Sequence, residues 1–157
     1  LNFYPDDILK KVVIRTARIL SITINDDAAS AVAKRSRGTP RIANNLLRWV
    51  RDYAQMRTNS IVDENVVKQA IDMLHIDEIG LDEMDRKVLE VIIDHYNGGP
   101  VGVNTISVAI GEERTTIEEV YEPFLIMQGL IKRTQRGREA TLKAYQHMNR
   151  SKEGELI

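Results

Sequence analysis

The sequence lacks cysteine, lacks an excess of either charge and lacks any long apolar run. Without cysteine there is no disulfide framework and no thiolate metal site. Charged residues make up 29% of the chain, yet the formal net charge is only −1. That balance excludes a bulk polycation and does not suggest disorder, so any charge that meets nucleic acid must be local. The histidines His75, His95 and His147 lie far apart without ligand spacing and read as solvated or structural. No metal site is expected. No apolar run approaches the roughly 20 residues that span a bilayer, and no signal peptide is visible, so no membrane partner and a cytoplasmic location are expected. The chain begins at Leu1 rather than Met, and Leu1-Asn2-Phe3-Tyr4-Pro5 reads as the end of a preceding segment. A fragment of a larger protein is the expectation.

What is present is mostly helical periodicity. With 157 residues and 43% apolar composition, the chain suffices for one ordinary domain or two small ones. Pro5 followed by Asp6 and Asp7 suits a helix start. Ile8, Leu9, Val12, Val13, Thr16 and Ile19 then recur at helical spacing through about Leu20. A second helix is expected from Asn25 or Asp26 to a stop at Gly38, with Ala28, Ala29, Val32 and Ala33 inward. Thr39 caps a third helix and Pro40 takes its first position. Its stripe is Ile42, Ala43, Leu46, Leu47, Val50 and Ala54, with Arg41, Arg48, Arg51 and Arg57 on the polar surface. A fourth helix is predicted from Asp63 to Leu74, with Val66, Val67, Ala70 and Leu74 inward. The first half thus reads as a wholly helical small bundle.

The acidic stretch Ile76 to Gly80 is the best domain boundary, giving domains of 1–77 and 78–157. A new helix starts near Asp82, paired with Asp85 as a capping set, and turns Val88, Leu89, Ile92, Ile93 and Tyr96 to a core. Asn97-Gly98-Gly99-Pro100 ends it. Val103 to Ile110 forms a short helix stopped by Gly111. Thr115-Thr116-Ile117-Glu118 reads as a capping box for a helix running to Gln128 and stopped by Gly129. Strand character on both sides of Gln135-Arg136-Gly137 predicts a β-hairpin within Leu130 to Leu142. Lys143 to Met148 suits a final helical turn or two, and 149–157 a frayed polar tail. Helix, short helix, helix and basic hairpin is the winged helix-turn-helix order. The fold class is therefore mainly α, a helical bundle followed by a winged helix with a basic β-hairpin wing.

Charge singles out the wing. Between Leu130 and Lys143, the residues Lys132, Arg133, Arg136, Arg138 and Lys143 face only Glu139, a local charge of +4 within a segment, 81–157, of −3. Cations on a projecting loop pair with phosphates and release counterions. A solvated hairpin that merely carries charge is the plainer alternative. The expected recognition helix, with Glu118, Glu119 and Glu122, would repel phosphate in a major groove, although Arg114 lies just before it. Contact through the wing to backbone or shape follows, rather than base reading. The second feature is Arg35-Ser36-Arg37-Gly38-Thr39-Pro40-Arg41. Helix N-termini favour anions, and Arg41 in the first turn adds a bidentate phosphate partner. An ordinary exposed arginine is the competing explanation.

The run Gly38-Thr39-Pro40-Arg41-Ile42-Ala43-Asn44 resembles the sensor-2 segment of AAA+ ATPases, in the form carried by the bacterial Holliday-junction branch-migration motors of the RuvB family. The likeness continues through Leu46 to Asp52, Gly80 to Lys87, Gly98 to Gly102, Tyr121 to Leu125 and Arg133 to Arg138, in the family's order. The resemblance implies a AAA+ lid followed by the winged-helix head, with the end of the large domain at the start. It also implies a homo-hexameric ring that pumps duplex DNA at Holliday junctions, with RuvA and RuvC as partners. By the same resemblance, Arg41 contacts nucleotide phosphate beside Pro40, Tyr4 packs near the adenine, and Arg133 and Arg138 contact DNA with Arg136 nearby. ATP or ADP is then the parent's cofactor, with Mg²⁺ held by the large domain. The departures are Gln135, where the family pattern has proline and the change would loosen the hairpin tip, and Asn45 and Trp49, where basic residues are expected. There is no Gly-x-x-x-x-Gly-Lys-Ser/Thr phosphate loop, no Walker B strand and no evident magnesium site. No catalytic residue is expected here, and this stretch alone should not hydrolyse ATP.

Two other classes fit the residue pattern. One is a winged-helix transcription regulator with a helical dimerisation domain, which explains the fold but not the Gly-Thr-Pro-Arg helix start. The other is an assembly module whose basic wing meets an acidic protein.

Overall fold

The computed structural model describes residues 3–57 and 61–151. Packing separates two compact units, one through Asp82 and one from Glu83. The first contains α1 (Asp6–Ile19), β1 (Thr23–Ile24), α2 (Asp26–Lys34), α3 (Pro40–Arg57), β2 (Ile61–Val62) and α4 (Glu64–Asp72). The helix starts follow the local chemistry. Asn25 accepts from the Ala28 amide at 2.8 Å, Asp63 from the Val66 amide at 2.8 Å, and Thr39 Oγ1 from the Ile42 amide at 3.1 Å. Each satisfies a first-turn amide that has no partner within its helix.

The buried stripe of α1 is Leu9, Val13 and Ala17, while Ile8 and Ile19 are exposed. Both isoleucines fit helical spacing, but they lie off the i, i+4, i+8 line that meets α2 and α3. In α4 the stripe closes on Ile71, and Leu74 lies beyond the helix on the surface. Full burial of such an aliphatic side chain contributes about 1.5–3 kcal/mol. The half is also not wholly helical, because β1 pairs in parallel with β2, Thr23 opposite Ile61 and Ile24 opposite Val62. Strands of two residues have no periodicity to read; pairing across the bundle creates them.

α2 ends at Lys34 rather than at the expected Gly38. Arg37 and Gly38 follow with φ of 55° and 71° and turn the chain into α3. A Cβ on Gly38 would lie 2.7 Å from the Phe3 ring, so the turn admits only glycine. The acidic connector is itself packed. Asp77 accepts from the amides of Ile79 and Leu81, Arg37 donates to the Gly80 carbonyl at 3.0 Å, and Leu81 is buried.

The second unit comprises α5 (Glu83–Glu90), a π-helical turn (Val91–His95), α6 (Val103–Ile110), α7 (Arg114–Thr116), a second π-helical turn (Ile117–Tyr121) and α8 (Glu122–Met127). The hairpin strands β3 (Ile131–Thr134) and β4 (Gly137–Ala140) and then α9 (Leu142–His147) complete it. Val88, Leu89, Ile92, Ile106, Ile117, Phe124, Leu125, Leu130 and Tyr145 are buried, and Tyr96, expected inside, is exposed. The expected capping box is not made. The helical stretch begins at Arg114, two residues before the expected start at Thr116, and Glu118 turns to the Arg114 guanidinium at 2.9 Å instead of to a backbone amide. The π-helical turn precedes Pro123, whose missing N–H removes one rung of the α-helical ladder.

The hairpin is antiparallel, with Arg133 opposite Arg138 and Thr134 opposite Gly137. Gln135 and Arg136 form its two-residue link. At the tip Thr134 Oγ1 donates to the Gly137 carbonyl at 2.9 Å and accepts from the Arg136 amide at 3.2 Å. Val101 adds a third edge, exchanging backbone bonds with Arg138 at 3.0 and 2.7 Å. The tail is anchored as far as it is described, since Arg150 grips both oxygens of Asp94 at 3.0 and 3.2 Å. Expectations for 152–157 lie outside the described residues.

Gly137 has φ of 137°, and a Cβ there would collide with the Val101 carbonyl. Gly137→Ala should therefore lower stability by about 1–3 kcal/mol. Thermal unfolding followed by circular dichroism reads this directly, and an unchanged midpoint would contradict the close approach.

Candidate nucleic-acid interface and nucleotide-facing segment

The wing and the first turn of α6 enclose an open cleft of about 790 Å³. Arg114, Arg133, Arg136 and Arg138 line it, and no carboxylate does. This concentration lies in the half of the chain that is acidic overall. The four arginines are not equivalent. Arg136, at the hairpin tip, is exposed and forms no ion pair among the described residues. Arg133 is exposed and stands 3.7 Å from Glu122. Arg114 is exposed, bonds Glu118 through Nε and donates to Asn104 Oδ1 at 3.4 Å.

Arg138 is only 7% exposed and Glu122 only 3%. Nε and Nη2 of Arg138 bond the two Glu122 oxygens at 3.0 and 3.1 Å, a bidentate pair out of water. Arg138 therefore does not project from the wing, as its place in a basic hairpin suggests. Glu122 likewise does not present its charge to a groove. It lies beneath the wing, where it offsets the repulsion of the facing Arg133 and Arg138. Charges alternate along one line: Arg114, Glu118, Arg138, Glu122, Arg133. The hydrogen bond from Arg114, aided by the charges of Arg138 and Arg133, holds the Glu118 carboxyl below its ordinary pKa. Sequence reasoning missed Asn104 and Thr105, uncharged exposed residues that complete the cleft wall. No sequence signal singles them out, because the hairpin reaches them only through the Val101–Arg138 bridge.

In the first unit, the Tyr4 amide bonds the Gly38 carbonyl at 2.8 Å. That bond brings Tyr4 beside the Gly38-Thr39-Pro40-Arg41 turn, although far from it in sequence. Tyr4 is 47% exposed. Arg41 is exposed in the first turn of the 18-residue α3 and bonds no carboxylate among the described residues. A helix start and a guanidinium beside a half-exposed phenol suit a phosphate and an aromatic base. Trp49 joins α3 to α4 by donating to the Ala70 carbonyl at 2.6 Å. Among the described residues no group of three or more His, Asp or Glu side chains is arranged to hold a metal, and no helix is long and apolar enough to cross a membrane.

A four-helix unit whose third helix opens on Gly-Thr-Pro-Arg, followed by a winged helix with an arginine-lined wing cleft, defines a AAA+ lid joined to a winged-helix domain. Comparison with known proteins makes this specific. The RuvB AAA lid domain matches residues 4–77, and the RuvB C-terminal winged helix domain matches 78–149. The chain belongs to the RuvB family. It is 60% identical over 148 residues to the Holliday junction branch migration complex subunit RuvB of Protochlamydia amoebophila, covering 94% of this chain and 45% of that relative. The subunit of the same name from Fusobacterium nucleatum is 50% identical over 150 residues, covering 96% of this chain and 45% of the relative. The solved Thermotoga maritima RuvB Holliday junction branch migration motor superposes with a TM-score of 0.91 at 44% identity, covering 96% of this chain and 51% of that one. The chain thus spans about half the length of the curated relatives it matches. The transcription-regulator reading finds no support in these matches.

Two outcomes test the ion-pair line. Glu122→Ala strands a buried guanidinium and should cost about 3–5 kcal/mol, whereas an apolar pair replacing Glu122 and Arg138 together should cost far less. Equal losses in denaturant titrations would refute that account. Arg114→Ala should raise the Glu118 pKa toward its ordinary value, measurable by carboxyl NMR titration. Glu118's pairing contributes stability above the ordinary carboxylate pKa and loses it as pH falls through the depressed value.

Proposed function

We propose that this chain supplies the nucleotide-sensing lid and the DNA-gripping head of an ATP-driven motor that migrates Holliday junctions in recombination and repair. Residues 1–77 are the lid, with the end of the large domain at its start, and 78–157 the head. The observation that carries the DNA role is the cleft lined by four arginines and no acid, set in a RuvB-type winged helix. Arg133, Arg136 and Arg114 meet the phosphates of duplex DNA. Arg138 acts from beneath, holding the wing through Glu122. Contacts of this kind grip the backbone without choosing a sequence, which suits a motor that must pass over any DNA.

For the lid, Arg41 takes a phosphate of ATP or ADP, Pro40 sets the helix start that presents it, and Tyr4 lies against the base. Bound nucleotide supplies the hydrolysable anhydride. The residues of this chain only sense its phosphates and tilt the lid, while a large domain holds Mg²⁺ and the water. Family assembly adds a homo-hexameric ring and the partners RuvA and RuvC, acting in the cytoplasm.

Three measurements test the reading. Arg133→Ala and Arg136→Ala should each weaken duplex binding and reduce its logarithmic salt slope by about 1. Unchanged slopes would remove the wing from DNA contact and favour a protein-binding module. Scrambling the duplex sequence should leave affinity unaltered. ATP turnover by the purified 157-residue chain should not rise above background; robust hydrolysis would overturn the division of labour.

A further inference from the structure

The cleft has two walls, and the DNA reading uses only the arginine-bearing one. The opposite wall is the first turn of α6, where Gly102 takes the cap position with φ of −70° and ψ of 150°. Any residue adopts that backbone conformation. A Cβ on Gly102 would meet nothing within 4 Å. Packing therefore does not require glycine there, and its bareness leaves the cleft floor open. Gly102 brings no side chain to cap the helix, so the first amides of α6 lack intrahelical partners. Asn104 and Thr105 are exposed beside them. Asn104 Oδ1 already accepts from Arg114, so its amide N–H groups are what it has left to offer. Thr105 adds a hydroxyl. Every polar group on this wall is thus neutral or a donor, facing guanidinium groups across an acid-free space.

We infer that this cleft seats the sugar–phosphate backbone of one nucleic-acid strand, with Asn104, Thr105 and the first amides of α6 as phosphate ligands opposite Arg133 and Arg136. The inference rests on the proposed DNA role and adds a second set of contacts to it. It also relocates the grip: the strand runs between α6 and the wing, and the half-buried Glu118 and exposed Glu119 do not have to enter a groove. The alternating line of ion pairs keeps Arg114 and Arg133 at the rim, where each retains N–H groups for a phosphate.

Thr105→Glu separates binding from folding. Position 105 is the third residue of α6, where an acid favours the helix dipole and the cap. The variant should keep or raise the melting temperature, yet weaken binding of a fluorescent duplex to the 157-residue chain roughly tenfold at low salt. Asn104→Glu is the second variant and should behave in the same way. Arg136→Ala serves as the reference for the wing. If Arg136→Ala weakens binding while both α6 variants bind as the parent does, the second wall is not a phosphate seat, although the wing still meets DNA. If none of the three alters binding, the DNA role and the inference fall together. If Thr105→Glu melts early, Asn104→Glu decides the matter by the same comparison.

Discussion

A guanidinium taken out of water needs a carboxylate close enough to bond it, and in the winged half this requirement falls on Arg138 and Glu122. The bidentate contact at 3.0 and 3.1 Å ties β4 to the start of α8. The neighbouring Arg133 would repel Arg138 across the hairpin if Glu122 did not sit between them. The same backbone position that delivers Arg138 to Glu122 also bonds Val101. The wing is thereby held against the segment that enters α6, and the arginine-lined cleft exists only because of that attachment. A buried ion pair of this sort contributes little net stability compared with a well-packed apolar pair. Here its consequence is placement: it sets where Arg133 and Arg136 stand.

The lid has a smaller counterpart of this logic. A left-handed glycine, with an aromatic ring under its Cα, forces the chain into a reversal, and proline then starts a long helix. The reversal leaves Arg41 without a carboxylate partner among the described residues and brings Tyr4 beside it through one backbone bond. Some charges in this half are engaged in surface pairs, such as Lys10 with Asp26. An exposed, unengaged arginine at a helix start is the arrangement that suits an anionic ligand.

Much of this was legible from residues alone. Caps at Asn25, Thr39 and Asp63, stops at Gly111 and Gly129, and the hairpin around Gln135 and Arg136 each depend on neighbours a few positions away. Errors came where a longer-range partner competed. Glu118 has the spacing of a capping residue, but Arg114 offers it a full charge. Ile19 and Tyr96 fit a helical stripe, yet the helices they belong to present a different line to their neighbours. The strands Thr23–Ile24 and Ile61–Val62 are defined only by each other.

By itself the sequence determined the two-part mainly helical architecture, the basic hairpin and the Gly-Thr-Pro-Arg helix start, because local backbone preference and charge density are properties of adjacent residues. Only the tertiary structure decided which arginines of the wing are free. Arg133, Arg136 and Arg138 look alike in the chain, but one strand face turns Arg138 inward onto Glu122, while the hairpin tip leaves Arg136 in solvent. Likewise, only folding made Asn104 and Thr105 the far wall of the cleft, since their relation to the wing is a distance across space and not a spacing along the chain.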